Sequence, residues 1–493
     1  MPDLPENKCL IVGAGLSGLA LAARLAAKGK HVEVYEQNDY FGGKASQTKL
    51  GEFIFDAGPS LFTMPQYVDE VFLAAGKNPR EYYAYSQLDT LCHYFYADGF
   101  RLIANADREQ FAKDASVICS DSKESILKFL HHSERIHELT EEVFLRKSLH
   151  KVKSYLSKET VRGIVGFGEL DAFQTMDKAI RRYLKDEHLI QLFCRYATYN
   201  GSNPYAAPGT LNVIPHLEFG LGAFMPDGGV YAIPKALYQL GLDLGVQYHF
   251  GQKVDEILVE KNLVNGIRIG TEKTLSNTVI TNADIWPSFR ELMPLVKAPE
   301  KTLAQERSSS AFIFYWAMDA EFPELDVHNI FFTTDYPAEF AALFERNELG
   351  QDPSIYIHIS SKVCKEHAPT GKENWFVMVN APQHIGQDWT VIRKVLRDKI
   401  IIKLGARLGK DIGPLILDEA VLTPQDIERK TSSYRGSLYG TSSNNRFAAF
   451  LRHPNFSRSI KGLYFCGGSV HPGGGIPLVM SSAKIVSDLI TSS

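Results

Sequence analysis

A glycine-rich turn near the N-terminus constrains the fold more than any other feature of this 493-residue chain. Residues 9–12 (CLIV) have the apolar run of a buried strand, and residues 19–27 have the alanine and leucine content of a helix. Between them, residues 13–18 (GAGLSG) have the GxGxxG spacing, which permits a tight turn, a close backbone approach to a pyrophosphate and close helix–strand packing. The sequence therefore predicts a parallel α/β unit that binds a dinucleotide.

An acidic residue follows the second strand of this unit. Residues 31–35 (HVEVY) are strand-like, and Glu36 comes directly after them. A carboxylate at this place accepts hydrogen bonds from ribose hydroxyls and repels a 2′-phosphate, so NADP is disfavoured. The positive end of the helix dipole faces the phosphates. The motif by itself does not separate FAD from NAD.

Composition excludes several classes of function. The net charge of −4 argues against a nucleic-acid partner, which requires a basic face. None of the six cysteines stands in a CxxC pair and no HExxH spacing occurs, so we expect free thiols and no metal site. The sequence has neither the ~18-residue apolar run of a membrane-spanning helix nor the pattern of a secretory signal. These features predict a cytoplasmic protein.

A second glycine element lies just after Glu36. Gly42-Gly43-Lys44 resembles the diglycine–arginine element of a flavoprotein superfamily that includes amine oxidases, carotenoid desaturases and protoporphyrinogen oxidase. In that superfamily the basic residue lies near the FAD pyrophosphate. Lysine keeps the charge but loses the bidentate fork of arginine. The resemblance implies that the dinucleotide is FAD.

The C-terminal block, residues 463–477 (LYFCGGSVHPGGGIP), is similar to the signature of the bacterial-type phytoene desaturase family of carotenoid desaturases. Amine oxidases usually carry an acid after the corresponding glycine, where this chain has Gly468-Ser469. Further elements resemble that family in order along the chain, at residues 55–60 (FDAGPS), 226–229 (PDGG), 254, 282–284 (NAD) and 434–440 (YRGSLYG).

The resemblance implies an α/β fold with a discontinuous cofactor domain. A Rossmann-like FAD-binding domain of the glutathione-reductase and amine-oxidase type is interleaved with a mixed-sheet substrate domain and a helical segment. We expect FAD-binding residues 1–75, 226–285 and 435–493, substrate-domain residues 76–107 and 286–434, and helical residues 108–225.

The same resemblance supplies candidate site residues. A C40 carotenoid is apolar, so its site should be a tunnel of aliphatic and aromatic residues, with Phe62, Met64, Phe312, Phe314, Trp316 and Met318 as candidates. Desaturation also releases a proton, and His471 is a candidate base. The residues expected to hold FAD are Gly13, Gly15, Leu16, Ser17, Gly18, Glu36, Gly42, Gly43, Lys44, Gly58, Pro59, Ser60, Val254, Gly467, Gly468, Gly475, Ile476 and Pro477.

Within the family, residues 57–65 (AGPSLFTMP) most resemble hydroxycarotenoid 3,4-desaturases. We therefore expect hydride transfer from a carotenoid such as 1′-hydroxy-γ-carotene to FAD, which leaves a new C=C bond. A phytoene desaturase that forms lycopene is the first alternative. Two further interpretations stay open, a flavin amine oxidase and a GDP dissociation inhibitor, which binds prenylated proteins without flavin.

Carotenoids reside in membranes, so a protein that acts on them is expected to contact a membrane surface. We expect the helical segment to attach the protein peripherally to the inner face of the cell membrane. No second nucleotide-binding motif is visible, so oxygen or a quinone is the expected electron acceptor rather than NAD.

Overall fold

The computed structural model describes residues 7–151, 166–445 and 447–492. In chain order, the strands are β1 (Lys8–Val12), β2 (His31–Tyr35), β3 (Gln47–Leu50), β4 (Phe53–Asp56), β5 (Phe62–Thr63), β6 (Tyr85–Gln87), β7 (Thr90–Phe95), β8 (Arg101–Asn105), β9 (Ala223–Pro226), β10 (Gln247–His249), β11 (Glu256–Glu260), β12 (Leu263–Ile269), β13 (Glu272–Leu275), β14 (Val279–Thr281), β15 (Ser310–Met318), β16 (His328–Phe331), β17 (Ile355–His358), β18 (Glu373–Ala381), β19 (Ile416–Leu422) and β20 (Leu463–Phe465). The α-helices are Leu16–Ala27, Gln66–Ala74, Arg108–Ile118, Lys123–Thr140, Met176–Ile180, Glu187–Cys194, Ile214–Phe219, Ala232–Asp243, Ile285–Arg290, Glu300–Leu303, Tyr336–Ala341, Trp389–Leu408, Pro424–Thr431, Ala448–Leu451 and Ile476–Thr491.

A five-stranded parallel sheet in the order β10-β2-β1-β14-β20 joins distant parts of the chain. β14 pairs with β1 on one side and with β20 on the other. The first and last helices pack together beside this sheet, where the Ser17 hydroxyl donates to the carbonyl of Val479 at 2.9 Å. The expected α/β fold with interleaved segments is confirmed, and the N- and C-terminal glycine turns lie side by side.

A second sheet is mixed and seven-stranded, in the order β19-β15-β18-β17-β16-β7-β8. β16 and β7 are parallel, and the other pairs are antiparallel. Side chains alternate between the two faces of a strand. On β15, Ile313 and Tyr315 therefore face one side, whereas Phe314 and Trp316 face the other side and pack with Trp389 and Leu396 of the helix Trp389–Leu408.

Residues 108–225 are largely helical where the structure describes them, but residues 152–165 of that expected segment lie outside the described residues. Side chains from this segment and from the seven-stranded sheet line the same cavity. The three-domain division stays a prediction, because the order of strands does not by itself fix a domain boundary.

Asp56 links two of the sequence motifs. Its carboxylate accepts hydrogen bonds from the backbone N–H groups of Val230 and Tyr231, both at 2.9 Å. Gly229 has a φ of +83°, and a Cβ there would lie 2.6 Å from Oδ2 of Asp56. A Cβ on Gly58 would lie 1.9 Å from a backbone oxygen, so the turn after Asp56 requires glycine as well.

The structure bears on two expectations from composition. All six cysteines are free thiols, as expected. Among the described helices, none is both long enough and apolar enough to cross a membrane. The helix Trp389–Leu408 has 20 residues, but its side chains include several arginines and lysines.

Buried histidines make the folded state sensitive to acid. Burial lowers the pKa of His216, His453 and His471 to about 4, and that of His358 to about 3. In the unfolded chain these imidazoles take up protons near the ordinary value of 6.5. Their contribution to stability is therefore complete above that pH and is lost as the pH falls toward the folded-state values.

We expect each such histidine to lower the free energy of unfolding by roughly 1.4 kcal/mol per pH unit between about pH 6 and about pH 4. Replacing His358 by glutamine should make the slope shallower by about that amount, because one proton fewer is taken up on unfolding. Urea unfolding at a series of pH values measures the slope. The same replacement at the exposed His131 is the control and should leave the slope unchanged. Equal slopes for both variants would contradict the prediction.

Candidate functional site

A cavity of about 1240 Å³ lies between the two large sheets. One wall is formed at the carboxyl ends of β1, β2, β14 and β20, and the other by one face of the seven-stranded sheet. Ligands of parallel α/β sheets bind beyond the carboxyl ends of the strands. The cavity therefore has the position expected for a nucleotide cofactor and extends past it toward the substrate side.

The structure brings the predicted cofactor residues together with one exception. Gly18 lies behind the turn, where a Cβ would be 2.2 Å from the carbonyl oxygen of Gly13, so it serves helix–strand packing. The others line the cavity, namely Gly13, Gly15, Leu16, Ser17, Glu36, Gly42, Gly43, Lys44, Gly58, Pro59, Ser60, Val254, Gly467, Gly468, Gly475, Ile476 and Pro477.

Bare backbone forms the part of this wall nearest β14. Gly13 and Gly467 have φ values of +103° and +117°. A Cβ on Gly15 would lie 2.7 Å from the side-chain nitrogen Nδ2 of Asn282, and a Cβ on Gly467 would lie 3.1 Å from the side-chain oxygen Oδ1 of the same residue. Asn282 lines the cavity between the two turns. The absence of side chains at these glycines leaves room for a pyrophosphate to approach the backbone.

Two helices begin at this wall without a side-chain cap. Gly15 precedes the helix Leu16–Ala27, and Gly475 precedes the helix Ile476–Thr491. Their first backbone N–H groups have no partner within the helix, and the dipole makes each terminus positive. This arrangement fits the anionic pyrophosphate of a dinucleotide and the electron-rich end of a reduced flavin.

Glu36 is buried at the end of β2 with both carboxylate oxygens occupied. The N–H of Ala14 donates to Oε2 at 2.8 Å, and Asn38 donates to Oε1 from its backbone at 2.9 Å and its side chain at 2.7 Å. A carboxylate oxygen accepts more than one hydrogen bond. Glu36 thus fixes the glycine turn and retains capacity for ribose hydroxyls, while Asn38 is a supporting residue that the motif does not reveal.

Lys44 joins two motifs. Its ammonium donates to the carbonyls of Leu438 at 2.7 Å and Ser437 at 3.3 Å. Burial lowers the pKa of Lys44 to about 8; the carboxylate of Asp284 opposes the shift, and the guanidinium of Arg307 adds to it. The basic residue of the diglycine element therefore holds the segment 434–440 against the cofactor side of the cavity.

Two buried arginines near the cavity carry no recognisable sequence pattern. Arg307 forms an ion pair with Asp284. Arg452 donates to the carbonyls of Thr441 at 3.0 Å and Tyr439 at 3.1 Å. Each arginine binds one of the motif segments, 282–284 or 434–440, but neither arginine stands in a motif itself, so a single sequence gives no signal for either role.

The part of the cavity beyond the glycine turns is lined largely by apolar side chains. Met64 lines it, as expected, but Phe62, Phe314 and Trp316 do not, nor do Phe312 and Met318. The four residues of β15 point away from the cavity because they have the opposite parity to Ile313 and Tyr315. The apolar side chains that the structure places here include Leu211, Ile214, Leu217, Ile313, Tyr315, Ile330, Phe332, Phe376 and Met378.

His471 lines the cavity in the C-terminal glycine block. Its Nε2 donates to the carbonyl of Lys147 at 2.8 Å, and its Nδ1 has no hydrogen-bond partner among the described residues. Burial lowers the pKa of His471 to about 4, so the ring is neutral at pH 7. Its role as a base stays a prediction.

Potential metal ligands occur together elsewhere. Cys364, Glu366 and His367 have ligand atoms within 4.8 Å of one another, outside the residues that line the cavity. Nδ1 of His367 is 2.7 Å from the hydroxyl of Ser360, and burial raises the pKa of Cys364 to about 11.

Nearly the whole length of the chain is similar to known proteins. The sequence model of the family described as flavin containing amine oxidoreductase matches residues 16–491. A 1-hydroxycarotenoid 3,4-desaturase of Flavobacterium sp. strain P99-3 is 46% identical over 98% of this chain and 99% of that protein. A 4,4'-diaponeurosporene oxygenase of Staphylococcus haemolyticus strain JCSC1435 is 30% identical over 99% and 98%. Cyclohexylamine oxidase from Brevibacterium oxydans IH-35A superposes with a TM-score of 0.62 at 14% identity over 99% of each chain, a likeness of fold alone.

Replacing Glu36 by arginine should weaken cofactor binding about tenfold to hundredfold, because a hydrogen bond to a charged group contributes roughly 1.5–3 kcal/mol. Flavin content after purification and flavin fluorescence on titration measure the change. Asp39→Arg is the matched control, since Asp39 is exposed and does not line the cavity. If both variants retain the flavin of the unmodified protein, Glu36 does not hold the cofactor.

Proposed function

Since the chain belongs to the flavin-containing amine oxidoreductase family, we propose that it is an FAD-dependent carotenoid desaturase, specifically a 1-hydroxycarotenoid 3,4-desaturase. The observation that carries the proposal is 46% identity over 98% of the chain to a protein of that name. A relative at 30% identity is also named for a carotenoid reaction. The family match confirms the flavin cofactor, FAD, expected from the motifs.

The walls of the cavity support an apolar substrate over an amine. The cavity is lined by apolar residues of the helical segment and by Ile313, Ile330, Phe376 and Met378 of the seven-stranded sheet. Such walls exclude water and bind a polyene through the area that they bury. The likeness to amine oxidase structures stands at 14% identity and concerns the fold.

Bound FAD supplies the hydride acceptor that no side chain offers. The glycine turns, the two uncapped helix termini and Glu36 bind and orient the cofactor. The apolar wall aligns the carotenoid. Nδ1 of His471 carries a free lone pair and is our candidate to take the proton released from the neighbouring carbon. The final electron acceptor stays a prediction, oxygen or a quinone.

Expression in cells that accumulate a single carotenoid tests the proposal. We expect 1′-hydroxy-γ-carotene to gain one conjugated double bond, which shifts its absorption to longer wavelength, and phytoene to remain unchanged. Gly15→Val is the inactive control, because a side chain there meets Asn282. Conversion of phytoene to lycopene would select the phytoene desaturase alternative. No conversion of any carotenoid would refute the proposal.

The proposal includes a peripheral contact with a membrane at the mouth of the cavity. Phe173 and Phe447 both line the cavity, and they expose 74% and 51% of their surface. Aromatic side chains at an opening insert into the boundary of a lipid layer. Such a mouth lets a carotenoid pass from the lipid into the cavity without crossing water.

Replacing Phe173 and Phe447 together by glutamate should lower binding to liposomes about tenfold, because two apolar anchors become charged. Co-sedimentation with vesicles measures the binding. Leu295→Glu is the matched control, since Leu295 is 96% exposed and lies outside the cavity. Equal binding of the double variant, the control and the unmodified protein would place the membrane contact elsewhere or nowhere.

A further inference from the structure

A buried imidazole nitrogen on the cavity wall lacks a partner. His328 begins β16, is 4% exposed and lines the cavity. Its Nε2 is buried and has no hydrogen-bond partner among the described residues. An unpaired buried polar atom costs stability, so each one in a native protein requires an explanation.

The other nitrogen of the same ring ends a chain of hydrogen bonds. Nδ1 of His328 is 2.8 Å from the hydroxyl of Tyr356, which is 2.8 Å from the hydroxyl of Ser60. All three residues line the cavity. Ser60 follows Gly58 and Pro59 on the cofactor side, whereas His328 and Tyr356 belong to the seven-stranded sheet. The chain therefore crosses from the cofactor wall to the substrate wall.

This chain of hydrogen bonds has two possible proton arrangements, and both leave Nε2 of His328 unpaired. Where Tyr356 donates to Nδ1, the proton of His328 is on Nε2, which is then a donor. Where Nδ1 donates to Tyr356, Nε2 is an acceptor. A hydroxyl group both donates and accepts, so it pairs with Nε2 in either arrangement. A carboxylate or an ammonium would pair in one arrangement only.

The ring is neutral, which suits an uncharged ligand. Burial lowers the pKa of His328 well below its usual range, and the neighbouring His358 and Arg195 lower it further. His358 stacks on His328 with ring centres 5.1 Å apart and also has an unpaired Nε2, but it does not line the cavity. Of these two imidazoles, only His328 lines the cavity.

We propose that His328, oriented by Tyr356 and Ser60, binds the hydroxyl group of a hydroxylated carotenoid and selects it over the carotenoid that lacks this group. The inference rests on the proposed function and adds the residue that determines substrate specificity. In a 1-hydroxycarotenoid, the hydroxyl-bearing carbon is two bonds from the nearer carbon that is desaturated. The hydroxyl site must therefore lie at the reacting end of the cavity, where Ser60 adjoins the cofactor side.

A second hydroxyl group on the cavity wall, that of Tyr199, already has hydrogen-bond partners within the protein. Arg195 donates to the hydroxyl of Tyr199 at 2.8 Å, and Tyr199 and Tyr196 both donate to Glu218. The Tyr199 hydroxyl thus has an acceptor and a donor within the protein. A substrate hydroxyl would have to displace one of these contacts, which makes Tyr199 the less suitable partner.

The test compares His328→Leu, His328→Gln and Tyr356→Phe on a matched pair of substrates, 1′-hydroxy-γ-carotene and γ-carotene. Flavin content and thermal unfolding establish that each variant is folded and loaded. We expect His328→Leu to lower kcat/KM for the hydroxylated carotenoid about tenfold to hundredfold and to leave γ-carotene nearly unaffected. Glutamine carries a polar amide near the position of Nε2 and should restore part of the loss. Tyr356→Phe should give an intermediate effect, because the imidazole loses its orientation.

The outcomes separate this inference from the proposed function. Suppose that the unmodified protein converts the hydroxylated carotenoid and that His328→Leu lowers kcat/KM equally for both carotenoids. The desaturase proposal then stands, and the hydroxyl site is refuted. If the unmodified protein converts neither carotenoid, the proposed function fails, and a measurement of carotenoid binding decides whether the hydroxyl site exists. A dissociation constant from carotenoid absorbance that depends on the hydroxyl and on His328 would then support the site, and one that depends on neither would refute it.

Discussion

The close contact of both glycine turns with Asn282 is the constraint on which the rest of the site depends. β14 carries Asn282 at its end, with β1 on one side and β20 on the other. A Cβ on Gly15 or Gly467 would lie 2.7 or 3.1 Å from the Asn282 side chain, so a larger residue at either place would force the turns apart. Because both turns approach one side chain, the two ends of the chain form one cofactor wall, and the cavity begins at their junction.

Buried polar contacts hold the remaining loops against this wall. Asp56 accepts hydrogen bonds from the N–H groups of Val230 and Tyr231, just before the helix Ala232–Asp243. Lys44 donates to carbonyls of the segment 434–440. Arg452 donates to the carbonyls of Tyr439, Thr441 and Gly468. Each charged group loses solvation on burial and regains hydrogen bonds from backbone groups that would otherwise lack partners. Asp56 and Lys44 thereby fix loops that lie far from them in sequence.

The cavity combines an apolar wall with a few polar atoms. The seven-stranded sheet supplies mostly aliphatic and aromatic side chains, together with the Tyr356–His328 chain that begins at Ser60. Apolar contacts favour any polyene of suitable length and distinguish related carotenoids poorly. A buried polar atom distinguishes them strongly, because a substrate without the complementary group leaves that atom unpaired. On our proposal, affinity and specificity thus depend on different residues of the same wall.

Much of the cofactor side could be predicted from the sequence. The spacing of Gly13, Gly15 and Gly18 after a strand and before a helix has one structural solution, because only glycine permits the turn, the close approach and the packing together. Glu36 follows from the same geometry, since it ends the neighbouring strand. The C-terminal glycine block and its helix follow from resemblance, and the structure brings both blocks to one cavity.

The substrate side was decided by tertiary structure. The sequence shows that β15 is apolar on both faces, so alternation along the strand could not tell which side meets the cavity. The helix Trp389–Leu408 covers Phe314 and Trp316, which leaves Ile313 and Tyr315 on the open side. Likewise, Ser60, His328 and Tyr356 lie far apart in sequence and meet only because the sheet places them together. Local sequence determines turns and strands, whereas the face of a sheet and the partner of a buried polar atom depend on what packs against them.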